Sequence, residues 1–138
     1  MSYQKLMIVG NLGRDPEMRY LESGQAVTNF SIASNRQYTA SSGERVKETT
    51  WFRITVWGRQ AETCNEYLKS GSQVLIEGRL NPDRDTGSPR VYQRNDGGYG
   101  SSYEVTADRV IFLTRAGATG GYEGGQSVPP MDDDDIPF

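Results

Sequence analysis

Apolar positions in the first 115 residues fall in short runs and period-two alternations between turn residues, which predicts strands. Residues 5–12 carry the run Leu6, Met7, Ile8, Val9 and end at Gly13 and the Asp15-Pro16 breaker; residues 17–21 continue as a strand until Ser23-Gly24 turns the chain. A long strand is expected from 26 to about 38, a polar hairpin loop over 40–43, and a returning strand over 49–57. The period then changes. Ala61, Cys64 and Leu68 stand at i, i+3 and i+7, which predicts one helix over 59–69, with Gly71 placed to end it. A strand over 73–80, a long glycine-rich connection over 82–102 and a closing strand over 103–114 complete the body.

Five principal strands with one helix between the third and fourth is the element order of the OB-fold, a small all-β barrel that binds oligonucleotides or oligosaccharides. An SH3-like barrel or a small sandwich shares the strand count; the single helix between strands three and four tilts the choice to the OB-fold.

Side chains alternate faces along a strand, so the 51–57 segment divides cleanly. Phe52, Ile54 and Val56 form an apolar face for a barrel interior; Trp51, Arg53, Thr55 and Trp57 form the other. Flat rings flanking a guanidinium suit single-stranded nucleic acid, whose bases stack on aromatics while the cation meets phosphate. Trp and Arg are enriched at subunit interfaces as well, so burial against another protein is the competing reading. Tyr38 with Arg36, and Arg84, Arg90, Tyr92, Arg94 and Tyr99 in the 82–102 connection, repeat the basic-aromatic interleaving, which favours nucleic acid over a neutral glycan. Alternation puts Tyr38 in register with Phe30 and Ile32, on the core side; a bulge, or a strand running past the barrel, is needed to free it. Leu6 to Val9 and Val74 to Ile76 are apolar on both faces, which asks for a partner subunit, or for cover by the helix or a loop.

Composition excludes several classes. With no histidine and one cysteine, the chain holds no Ser-His-Asp or Cys-His pair, no four-thiolate zinc site and no internal disulfide. Cys64, on the helix's apolar stripe, reads as packing rather than as a reactive thiol. No apolar stretch approaches the roughly 20 residues of a membrane span, and the N-terminus lacks a signal-peptide layout, so the cytoplasm is the expected compartment. The net charge of -3 is unevenly spread: residues 116–138 hold five of the 18 acidic side chains and none of the 15 basic ones. A mildly basic body, 1–115, therefore carries an acidic end, 116–138, too rich in Gly and Pro to order itself. Four consecutive aspartates in such a tail lack the rigid scaffold of a two-metal nuclease.

The segments VGNLGRDPEMRYLESG (9–24), TTWFRITVWG (49–58) and EYLKSGSQVLIEGRL (66–80) resemble the bacterial single-stranded DNA-binding protein family, SSB, over about residues 3–115. The final Met131, Asp132, Asp133, Asp134, Asp135, Ile136, Pro137, Phe138 is similar to that family's partner-binding tip. The resemblance implies an OB-fold homotetramer that wraps single-stranded DNA in replication, recombination and repair, with no catalytic residue, cofactor or metal and no membrane association. It implies stacking by Tyr38, Trp51 and Trp57, with Arg53, Arg59 and Lys5 at basic positions; Arg36, Arg84 and Arg90 join them from the interleaving above. A further family aromatic falls near Asp85, and Tyr92 is the candidate to replace it. Phe52 stands where some members carry a histidine tied to assembly contacts. The tip, Asp132 to Phe138, implies recruitment of replication and repair proteins through a flexible tether. The alternative function is an OB-fold docking module with little DNA binding of its own.

Overall fold

Among the described residues, seven strands and one helix follow one another as β1 (Leu6–Leu12), β2 (Glu17–Tyr20), β3 (Ala26–Thr39), β4 (Arg45–Trp57), α1 (Arg59–Tyr67), β5 (Gln73–Leu80), β6 (Arg90–Gln93) and β7 (Tyr99–Phe112). The structure, a computed structural model, describes residues 1–113; the expected tether and acidic tip at 116–138 lie outside the described residues. Strand order is β1-β5-β7-β4-β3-β2, and pairing of β1 with β3 at Asn11–Ala33 and Leu12–Ile32 closes the ring. Five strands, β1, β3, β4, β5 and β7, thus make a barrel, with β4 and β7 the parallel pair. With its helix between the third and fourth of these, it is an OB-fold.

The interior follows from the alternation. Ile8 and Leu12 of β1, Phe30 and Ile32 of β3, Ile54 and Val56 of β4, Val74 and Ile76 of β5 and Val105 of β7 point inward and are buried together. Helix α1 packs Ala61 and Cys64 onto this core, and Leu68 just after it does the same. The helix is anchored by polar contacts too: the buried Thr28 hydroxyl donates to the Ala61 carbonyl at 2.7 Å. Gln60 donates to the Asp108 carbonyl at 2.9 Å and accepts from the Val110 N–H at 3.0 Å. Those two groups flank the place where β7 slips register against Glu77 and Gly78 of β5, so one amide satisfies the backbone that the bulge disrupts. Gly78 belongs there because a Cβ would overlap the Thr106 carbonyl. Cys64 is 1% exposed, and burial pushes its thiol from 9.0 up to about 12. It is a packing residue.

Three elements differ from expectation. The hairpin is longer, since β4 begins at Arg45 rather than at 49, and its register against β3 runs unbroken from Val27–Trp57 to Thr39–Arg45. Beyond the residues that β1 and β7 pair with, the two strands project as an arm held by backbone bonds, which a polar sequence such as Arg45, Lys47, Glu48 does not announce. The 82–102 connection is the second: within it β6 pairs with the start of β7, from Arg90–Ser102 to Gln93–Tyr99, and forms another arm. Helix α1 ends at Tyr67, two residues early, because Leu68 is already extended.

Candidate nucleic-acid interface

β4 presents Trp51, Arg53, Thr55 and Trp57 outward while Ile54 and Val56 are fully buried, as the alternation requires. Each outward residue has a small or amide partner on β3: Trp57 faces Val27, Thr55 faces Asn29, Arg53 faces Ser31 and Trp51 faces Ala33. Thr55 donates to the Asn29 amide oxygen at 3.0 Å, fixing both polar groups between the rings. Small residues on one strand and large flat ones on the next leave the rings standing above a low floor. Trp57 is 41% exposed and Trp51 half-buried. The strand rise of about 3.3 Å per residue separates them by roughly 20 Å, so they serve as two platforms.

The rows continue sideways. Arg19 of β2 pairs with Val27, beside Trp57, and Glu104 and Thr106 of β7 pair with Arg53 and Thr55. The β5–β6 connection rises over this face and encloses a groove of about 520 Å³ that brings together Arg53, Trp57, Arg84 and Arg90. A second hollow, of about 320 Å³, shares Arg19, Asn29 and Arg53 with the first and extends to Arg14 of the β1–β2 loop. The two hollows therefore adjoin on a path along the outer face of β2, β3 and β4. Its main groove is close to charge balance, four arginines (19, 53, 84 and 90) against Asp83, Asp85 and Glu104. Asp83 is committed to its own turn, accepting from the Asp85 and Thr86 N–H groups at 2.9 and 3.3 Å.

The other expected residues stand outside these hollows. Tyr38 is on the projecting arm, freed because the strands run past the barrel, with no bulge in the register. Its ring is covered on one side by the Arg36 guanidinium, 4.8 Å from the centroid, and its hydroxyl donates to Glu48 at 3.2 Å. Parity keeps it on the opposite face of the hairpin from Trp51 and Trp57. Tyr92 lies across Gly100 of β7, where a Cβ would come within 2.8 Å of its ring. Arg59 opens α1 and is exposed. Lys5 precedes β1 and pairs with Glu77 at 3.4 Å. Trp51 sits along the β4 row beyond the grooves.

Arg14, Arg19, Asn29 and Glu104 are residues that the sequence reading missed. Arg19 was within reach of alternation, since β2 continues the sheet; Glu104 was not, because only the parallel β4–β7 pairing brings it beside Arg53. Among the described residues, no group of three His, Cys, Asp or Glu side chains gathers as a metal site, and no helix is long and apolar enough to cross a membrane.

The family model described as the Single-strand binding protein family matches residues 3–113. The chain belongs to this family. A single-stranded DNA-binding protein of Neisseria meningitidis serogroup A is 39% identical over 113 residues, 82% of this chain and 61% of the relative. One from Wolinella succinogenes is 42% identical over 123 residues, 88% of this chain and 72% of the relative. The chain thus spans about 61% of the length of the Neisseria member. Two solved structures share the fold at 26% identity. A Plasmodium falciparum SSB complex with ssDNA superposes with a TM-score of 0.68 over 83% of this chain and 97% of that one. A deletion mutant of the single-stranded DNA binding protein from Thermus aquaticus gives 0.62 over 80% and 50%.

A second outer surface, on β1, β5 and β7, has another chemistry. Met7 is 59% and Val9 47% exposed. Val9 pairs with Leu75, which pairs with Ile111, making an aliphatic row across three strands. Helix α1 packs on β2, β3, β4 and β7 and leaves the outer side of β1 uncovered.

Proposed function

We propose that this protein binds single-stranded DNA without sequence preference on the outer face of β2, β3 and β4, and protects such strands during replication, recombination and repair. The observation that carries this reading is the β4 row, where Arg53 stands outward between two indoles over a floor of small residues. Bases stack on exposed rings for about 1–3 kcal/mol each, and guanidiniums along the path neutralise phosphates with release of counterions. Paired bases hide their faces, so the surface selects single strands. Lys5, Arg36, Tyr38, Arg59 and Tyr92 extend the contact beyond the grooves as the strand wraps. The mechanism is binding alone, with no catalytic step and no cofactor.

The aliphatic row of Val9, Leu75 and Ile111 supports assembly into a homotetramer, in which a second copy covers β1. The domain boundary near residue 115 separates this binding body from a Gly/Pro-rich tether. At its tip Ile136, Pro137 and Phe138 enter a small apolar pocket of a partner while Asp132, Asp133, Asp134 and Asp135 meet its basic rim. The setting is the cytoplasm, at the nucleoid.

The near balance of charge in the main groove favours one other reading, a docking module whose aromatic face meets a protein. Tryptophan fluorescence during titration with poly(dT) at two salt concentrations separates the two. Quenching that weakens steeply with salt supports DNA binding; no quenching at low salt moves protein docking to first place.

A further inference from the structure

Glu104 is one of three acids in the arginine-lined main groove. It stands on β7 with its side chain 14% exposed, between Arg53 on the groove floor and Arg90 on the β6 arm. Its two oxygens are divided: Oε1 lies 3.8 Å from Arg53 Nη1 and Oε2 lies 3.7 Å from Arg90 Nη1. Both separations exceed the 2.7–3.2 Å of a hydrogen bond, so between these atoms the contact is an ion pair without a hydrogen bond. The arm does not need it for placement, because four backbone residue pairs already hold β6 on β7. A carboxylate with one oxygen toward each guanidinium has the charge and the two-oxygen span of a phosphodiester, the group that arginine forks bind best.

We propose that the Arg53–Glu104–Arg90 clasp is a phosphate subsite occupied by the protein's own carboxylate, which a phosphodiester of the bound strand displaces. Glu104 thereby lowers the affinity of the groove and limits how tightly a strand is retained. The inference rests on the DNA-binding reading above.

The test uses the full chain, oligo(dT) and a salt series, with the wild type, Glu104→Gln, Arg90→Gln and the double variant. Glu104→Gln should bind about three- to tenfold tighter at moderate salt, with a log-log salt slope steeper by about 0.7, one more phosphate's worth. Arg90→Gln should cost more affinity in the Glu104→Gln background than in the wild type, because the competitor is gone. Equal or weaker binding by a Glu104→Gln protein with a wild-type unfolding midpoint overturns the proposal. So does weaker binding with faster proteolysis at residues 94–98, which would make Glu104 a strut of the arm. Should Glu104→Gln not fold, Glu104→Asp withdraws the carboxylate from both arginines and carries the same sign of expectation. Absence of oligo(dT) binding by both folded proteins sinks the DNA-binding reading and the subsite with it.

Discussion

The barrel has two outer surfaces made by the same rule and opposite in chemistry. On β3 and β4 the outward positions are Trp51, Arg53, Thr55 and Trp57 over Ala33, Ser31, Asn29 and Val27. On β1, β5 and β7 they include Val9, Leu75 and Ile111. Both surfaces lie over one core and both expose large apolar side chains. What differs is the companion of each ring or aliphatic group. Indoles separated by a guanidinium and amide or hydroxyl groups keep a wet surface on which flat, charged polymers settle. Aliphatic residues facing aliphatic residues have nothing to gain from water, which is why the proposed assembly is placed there. Exposure alone does not distinguish the two surfaces; the polar spacing does.

The comparison can be broken most severely at the aliphatic surface. Val9→Glu combined with Leu75→Glu should dissociate the assembly, since an unpaired charge at a dry interface costs about 3–5 kcal/mol; light scattering that still reports the wild-type mass would remove the assembly role. On the other surface, Trp57→Ala should lose about 1–3 kcal/mol of oligo(dT) affinity with the fold intact by circular dichroism. If the loss appears at Val9 and Leu75 instead, in protein of unchanged mass, the two surfaces have been assigned the wrong way round. Removing Asp132 to Phe138 changes no residue of either surface. DNA binding should persist, or tighten slightly at low salt, while pull-down of replication and repair partners disappears.

The smallest effect concerns the core beneath both surfaces. Burial raises the Cys64 thiol from 9.0 to about 12, so at high pH the unfolded chain loses this proton before the folded one does. The stability that Cys64 adds over Cys64→Ala is full below pH 9.0 and shrinks as pH rises toward about 12. The difference between the two proteins should fall by about 1 kcal/mol by pH 10 in urea titrations. A flat difference would mean that the thiol is reached by water.

Much of this was legible because strand alternation is local. Phe52, Ile54 and Val56 turned inward as read, and Trp51, Arg53 and Trp57 outward, since a closed barrel has one inside. Tyr38 shows the same rule working with a different result. Its parity was read as core-side and is core-side, yet it is exposed because β3 and β4 outrun the strands that would cover them. β6 was not legible, as Arg90, Val91, Tyr92 and Gln93 carry no apolar alternation and depend on pairing with β7 for their strand form.

The sequence by itself determined the alternation of β4, the helix between the third and fourth barrel strands, the motifs of the family and the acidic, base-free character of the last 23 residues. Each depends on neighbours within a turn or a strand, where covalent spacing dictates which face a side chain takes. Only the tertiary structure decided that Arg19 joins Trp57, that Gln60 satisfies the β7 bulge and that Glu104 lies between Arg53 and Arg90. These contacts join segments far apart in the chain. Those of Arg19 and Glu104 are set by cross-strand register, where a shift of one residue would send the side chain to the other face, and those of Gln60 by the docking of α1 against β7.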